Sequence, residues 1–311
     1  MFELKEQLLL LWSLPVYMAI ILTELLFSYF HQHRIYKTKD TLTNIYLTIL
    51  NFGFDAAIRV VAFGILIFFF SFHCYTFHNI YLYWIFCFVA EDFVYYWLHR
   101  IDHTCRFFWA VHVTHHSSEQ FNLTVGFRSS VFQPLYRFIY FIPLVLVGFH
   151  PADILFVYAV TQIWGVLIHT QYINKLGIAE WIFSTPSHHR VHHASNTKYL
   201  DRNMGMFLIV WDKLFGTFEE EDEQYETIRF GLTKNIEAKN PAQFVFHEWK
   251  EIMKDVKTAP SLYAKWMYVF GPPGWSHNGS KKTSEQLRAE EIVFGKISSS
   301  ENNEWTEMEV Q

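Results

Sequence analysis

Five apolar stretches within the first 170 residues limit what this 311-residue chain can fold into. They run over about 7–30, 50–72, 79–98, 131–149 and 152–170. A bilayer crossing takes roughly 20 residues of helix, so each reads as a candidate span. The first contains Pro15 and Glu24, and the third contains Glu91 and Asp92. The second reaches spanning length only if the less apolar residues from about 50 join its core at 60–72. The expectation is an all-α, polytopic membrane bundle. The first stretch has no small-residue cleavage site, so it reads as a retained span rather than a removed signal. Only 18% of residues are charged and 51% are hydrophobic, which agrees with a membrane protein carrying substantial polar parts.

Charge between the spans sets an orientation. Arg34, Lys37 and Lys39 follow the first span, while the turns at 73–79 and 150–153 contain no Lys or Arg. By the positive-inside tendency the N-terminus is outside and those two turns face away from the cytoplasm. Residues 99–130 and 169–218, together with the C-terminus, then fall on the cytoplasmic side. A net charge of -5 gives a nucleic-acid partner no electrostatic support. Cys74, Cys87 and Cys105 form no CxxC pair and no disulfide framework.

Residues 204–218, MGMFLIVWDKLFGTF, are apolar but too short to span, and are expected at the membrane surface or under the bundle. Glu219 to Glu223, EEEDE, mark a solvated break. Three regions follow: 1–41, a first span and basic loop; 42–218, a membrane-embedded domain; and 219–311, an acidic cytoplasmic tail. Short helices are expected in the tail up to about 270 and disorder after about 279. There is no internal repeat.

The cytoplasmic side collects histidine. His99 and His103, then His112, His115 and His116, then His189, His192 and His193 recur at spacings of three and four, which share a helical face. His169 ends the fifth apolar stretch and His188 adjoins the last group. Lone histidines such as His150 and His247 read as ordinary hydrogen-bonding residues. So many imidazoles beside apolar segments need a partner, and a bound cation supplies one. No cysteine stands beside them, which argues against zinc-ribbon or iron–sulfur sites. Eight or more imidazoles exceed one zinc and match two metals with about four each. Imidazole suits iron, zinc, copper and nickel, so the residues leave the metal open. A redox pair can activate O2 against inert lipid carbon, which favours iron. Asp92 and Asp102 are candidates to support the rings, although Asp92 reads equally as a contact between helices. A non-catalytic transporter or scaffold is the alternative. Transport wants polar groups spread through the spans, whereas these histidines lie beyond span ends on one side.

HRIDH at 99–103, HVTHH at 112–116 and HRVHH at 189–193 resemble the three histidine boxes of the fatty acid hydroxylase and sterol desaturase superfamily, over about 42–218. HSSEQFNLTVGFRSS at 116–130, IHTQYINKLG at 168–177, TPSHHRVHH at 185–193 and the run from Asn203 to Phe218 look like its ether-lipid-cleaving branch, the alkylglycerol monooxygenases. The resemblance implies a cytoplasmic di-iron cap, with two irons per chain and O2 as co-substrate. It also implies tetrahydrobiopterin as electron donor, and hydroxylation of the ether-linked carbon of a membrane lipid to release a fatty aldehyde. Hydroxylation or desaturation of a sterol, fatty acid or carotenoid is the alternative within the superfamily, and the tail is a candidate site for a reductase. The ligands it implies are His99, His103, His112, His115, His116, His189, His192 and His193, with His169 a further one and His188 a ligand or a supporting residue. Asn122, Arg128 and Gln171 are candidates to read the lipid headgroup. Where the branch often carries Glu directly after the first box this chain has Thr104, leaving Asp102 or Glu119 as the nearby carboxylate.

Overall fold

The computed structural model describes residues 2–222, 224–238 and 240–293. Among them the chain is all-α with two isolated β-bridges, Phe183 with Leu208 and Ala194 with Phe230. Two long apolar helices come first, α1 (Phe2–Phe30) and α2 (Thr38–Phe70). Then follow α3 (Ile80–Thr104) and α4 (Arg106–His116), and the shorter pair α5 (Pro134–Val147) and α6 (Pro151–Leu167). The local sequence sets the ends. Asn79 caps α3 by accepting from the amides of Tyr81 (2.9 Å) and Leu82 (3.1 Å). Pro134 and Pro151 open α5 and α6, and Gly148 closes α5 at φ 128°. A Cβ on Gly148 would sit 2.1 Å from the Tyr75 carbonyl oxygen, so only glycine fits that turn.

Leu11–Phe30 and Thr38–Phe70 are long and apolar enough to cross a membrane. Their outer faces carry Trp12 (72% exposed), Met18 and Val60, which suits lipid and not water. The second begins twelve residues before position 50, so residues 50–70 belong to one 33-residue helix of about 50 Å, and Ser71 and Phe72 begin the turn after it. The expected fourth and fifth spans are shorter than their apolar stretches. Proline and glycine stops leave helices of 14 and 17 residues, about 21 and 26 Å, against roughly 30 Å of hydrocarbon. α3 has 25 residues but buries Glu91 and Asp92.

α2 packs along α5, α1 along α6, and α3 against both α5 and α6. At one end of this bundle Leu66, Cys87, Phe141, Leu144 and Ile154 form an apolar core. The Cys74 amide donates to Leu146 O (2.8 Å) there, joining the two turns. At the other end α3 and α6 finish and the histidines begin. α7 (Pro186–His192) and α8 (Val210–Phe215) close over it. Residues 204–218 pack against α3 through Phe93–Trp211 and Tyr96–Phe215 ring contacts. Asp212 holds that segment by accepting from the amides of Met204 and Gly205 (2.7 Å each) and from the Thr217 hydroxyl (2.6 Å).

In the tail, α9 (Ala242–Thr258) and α10 (Leu262–Phe270) lie on α4, where Arg106 donates to Glu248 and Asp255 at 2.7 Å each. The expectation of disorder after about 279 is corrected for residues 284–293. They form α11 (Ser284–Val293), pinned by Arg288 to the Leu200 carbonyl and by Glu291 to the Tyr225 hydroxyl (2.7 Å). The rest of that expectation, 294–311, lies outside the described residues.

Candidate metal centre

Two histidine groups stand side by side at the closed end of the bundle. The first joins His99 and His103 from α3, His112 and His116 from α4, and His192 from α7. The second joins His115 from α4, His169 just beyond α6, and His189 and His193 from α7 and its end. Within each group one ring nitrogen per residue lies within 4.8 Å of all the others. Successive residues on a helix point about 100° apart. The neighbours His115 and His116 therefore serve different groups, as do His192 and His193. The groups abut, with the His116 and His193 rings stacked at 4.4 Å.

The protein fixes which nitrogen faces inward. A carbonyl oxygen only accepts, so a ring nitrogen beside one carries the hydrogen. Nδ1–H of His99 donates to Met204 O (2.8 Å), His115 to Arg128 O (3.0 Å), His169 to Gly165 O (2.6 Å) and His192 to Arg202 O (3.0 Å). Nδ1–H of His103 donates to the Asp201 carboxylate (3.1 Å). In each neutral ring Nε2 then presents a bare lone pair to the group's interior. His169 Nε2 lies 3.0 Å from His189 Nε2 and 3.1 Å from His193 Nε2. The Nε2 atoms of His103 and His192 are buried with no hydrogen-bond partner. A cation in each group satisfies these lone pairs, and the supporting bonds are the kind that orient metal-bound histidine. The residues present fit two metal ions.

Burial, reinforced by neighbouring imidazoles, holds His112, His115, His116, His189, His192 and His193 well below the usual imidazole range. All six are neutral at pH 7, the form that ligates a metal. A cavity of about 200 Å³ runs up to the rings of His112, His115 and His169, reaching both groups.

The fatty acid hydroxylase family profile matches residues 84–217, the segment that carries every histidine of both groups. Human alkylglycerol monooxygenase is 39% identical over 224 residues, covering 70% of this chain and 48% of that protein. The Caenorhabditis elegans alkylglycerol monooxygenase is 37% identical over 62% of this chain and 39% of its own length. The ornithine lipid hydroxylase of Rhizobium tropici is 32% identical over 48% of this chain and 45% of its own. The chain belongs to the fatty acid hydroxylase and sterol desaturase superfamily. Its matches span less than half the length of these relatives, and no solved structure matches it.

For this superfamily member the structure gathers the eight box histidines with His169 and leaves His188 out. The His188 ring accepts from the Thr185 amide (3.4 Å) and packs on Phe218, helping to start α7. Asp92 does not support a ring either. It accepts from the amides of Phe207 (3.1 Å) and Leu208 (3.2 Å) and from the Trp211 indole (2.9 Å), which anchors the closing segment to α3. Asp102 stands 3.8 Å from His112 Nδ1 and accepts from Gln133 (2.8 Å) and Tyr136 (2.7 Å). Thr104 is exposed and donates to Arg100 O (2.9 Å), and Glu119 is exposed as well. The carboxylate that reaches a ring is Asp201, which sequence reading missed. Its only signal was a polar Asp-Arg-Asn run whose Asp201 and Asn203 adopt positive φ, 53° and 56°.

Asn122 and Arg128 are buried and Gln171 half-buried, each engaged in bonds within the protein. Arg128 is 0% exposed, with its guanidinium donating to Asp40 (3.1 Å), Asn44 (2.7 Å) and Ser117 (2.9 Å). Asn122 donates to Ile35 O (2.6 Å) and Gln171 to Phe121 O (2.7 Å). All three tie loops together, and none lines the cavity.

Proposed function

We propose that this protein is a di-iron membrane monooxygenase that hydroxylates the ether-linked carbon of alkylglycerols, with tetrahydrobiopterin as electron donor. The single observation behind it is the pair of abutting histidine groups opening on one cavity, in a chain 39% identical to human alkylglycerol monooxygenase over 70% of its length. His99, His103, His112, His116 and His192 hold one iron; His115, His169, His189 and His193 hold the other. Two irons, when bound, supply reductive activation of O2 and transfer of one oxygen atom to a C–H bond.

The chain's own contribution is ligation, orientation and exclusion of water. Asp201 and the carbonyls of Met204, Arg202, Arg128 and Gly165 lock the rings before any substrate arrives. The 203–219 closure keeps bulk water from the site, with Asn203 donating to His188 O (3.1 Å) and Glu219 O (2.8 Å). The overall change consumes one O2, two electrons and two protons, adds hydroxyl to the ether carbon and yields water. The resulting hemiacetal breaks its C–O bond to the glycerol, giving a fatty aldehyde and the freed alcohol.

The same reading places the chain as a multi-pass protein with the histidine end on the cytoplasmic side, beside Arg34, Lys37 and Lys39. That end then meets lipids whose headgroups lie near water and whose chains lie among α1 and α2.

The test is aldehyde release from 1-O-hexadecylglycerol by the iron-loaded protein under air, with and without tetrahydrobiopterin. Aldehyde that depends on the pterin supports the reading. An iron-replete preparation that releases none contradicts ether cleavage and favours another lipid of the superfamily.

A further inference from the structure

The cavity beside the histidines is polar on the side that points into the bundle. Asn51 donates to Ser130 O (3.0 Å), and Ser130 Oγ lies 3.2 Å from His112 Nδ1, so Asn51 marks the level of the metal groups on α2. Asp55 and Arg59 follow one and two helical turns further in, about 6 and 12 Å along the axis. Both line the cavity, as do Arg137 of α5 and Tyr158 and Gln162 of α6. Asp55 accepts from Arg59 (2.9 Å) and Arg137 (2.6 Å), Arg137 also donates to the Tyr158 hydroxyl (2.9 Å), and Glu6 accepts from Arg59 (2.9 Å). Two carboxylates and two guanidiniums leave this wall without net charge.

Donors remain on it. Arg137 uses two of its five N–H groups in those bonds. The side-chain nitrogen of Gln162 is buried and interacts with the Tyr95 side chain without completing a hydrogen bond of normal geometry. Buried donors left unpaired are costly, and a ligand hydroxyl satisfies them. In the other direction the cavity reaches the outside: Phe52 lines it and is 58% exposed on the lipid-facing surface of α2.

The geometry points to a headgroup subsite on this inner wall, in which Arg137, Gln162 and Tyr158, braced by Asp55, hold the uncharged hydroxyls of the substrate. The alkyl chain leaves past Phe52 into the bilayer, and the carbon between the two parts lies against the imidazoles. Neutral hydroxyls both donate and accept, which suits a wall offering both without net charge. The subsite rests on the ether-lipid reading, and it replaces Asn122, Arg128 and Gln171 in the role of headgroup contacts.

The experiment compares binding of two amphiphiles to the full chain in lipid nanodiscs: 1-O-hexadecylglycerol, and hexadecyl methyl ether, which keeps the chain and ether but has no hydroxyl. Displacement of tritiated 1-O-hexadecylglycerol is read for the wild type, Gln162→Leu and Tyr158→Phe, with aldehyde release measured on the same samples. Neither substitution strands a charge, so both variants are chosen to fold. The wild type prefers the glycerol by 10-fold or more, and each variant loses on the order of 10-fold of that preference, the scale of one hydrogen bond. In turnover the loss falls on KM more than on kcat. Variants that keep the full preference overturn the subsite, as does a wild type with none. Aldehyde release with the preference unaltered in the variants keeps the ether-lipid reading and removes the subsite. A preference lost in the variants, with no aldehyde from any sample, keeps the subsite and removes ether cleavage.

Discussion

The first histidine group has five imidazoles and a carboxylate behind it; the second has four and is backed by carbonyls. Asp201 accepts from His103 in the first, while in the second His169 and His115 donate to Gly165 O and Arg128 O. The second also leaves His189 Nδ1 buried without a partner. An anionic acceptor raises the basicity of the ring it holds, and an extra imidazole gives a metal a spare ligand. The first group is therefore the tighter site. The second supplies two of the three rings that face the cavity, His115 and His169, and is the more open to substrate. One set of helices thus builds two unequal sites.

The largest effect that can break this comparison is loss of a ring. His193→Ala leaves the second group three imidazoles, and His192→Ala leaves the first group four. Both are expected to cut activity by more than the 10–100-fold typical of supporting residues. The difference appears in dialysis against a chelator, where His193→Ala surrenders its metal first. Equal rates of loss would erase the inequality. Next in size, Asp201→Asn is expected to weaken metal at the first group by about 10–100-fold and leave the second unchanged, read by metal titration. A loss shared by both groups would show that Asp201 acts on the fold and not on His103.

Acid gives a smaller and graded effect on the metal-free protein. The six imidazoles that burial holds low titrate in the folded chain well below the unfolded value of about 6.5. As pH falls through about 6.5 the unfolded chain takes up protons that the folded chain refuses, so stability drops. Above that pH both forms are neutral and stability is flat. Thermal unfolding of chelated protein at pH 8, 6.5 and 5 should show Tm falling only toward the acid end. A Tm independent of pH down to 5 would mean the rings are not held neutral. The smallest effect is expected of Thr104→Glu, which restores the residue common in the ether-cleaving branch. Thr104 is exposed, donates to Arg100 O and belongs to neither group, so metal content should change less than about twofold.

Much of the site was legible because histidines four apart keep one helical face, while those three apart separate: His112 and His115, and His189 and His192, fall in different groups. His99 with His103, and His189 with His193, share faces, and the adjacent pairs divide between the two groups because neighbours on a helix point about 100° apart. What supports the rings was not legible. Four of the acceptors are main-chain carbonyls, which leave no trace in residue identity. Asp201 meets His103 across 98 positions through a positive-φ loop. Arg128 reads as a headgroup contact from sequence because it lies close to the histidines on the side assigned to the cytoplasm. Its burial against Asp40 and Asn44 depends on how α2 folds back, which local pattern does not reveal. The span bounds shifted both ways: α2 starts well before its apolar core, whereas α5 begins only at Pro134 and ends before Gly148, inside its apolar stretch.

Two histidine groups side by side give this chain room for two metals, one in each. The direct test is the iron content of purified, reconstituted protein, wild type beside His189→Ala. The expected content is about two irons per chain in the wild type and about one in the variant, with the remaining iron held in the five-histidine group. One iron in the wild type, or an unchanged content in the variant, would contradict it.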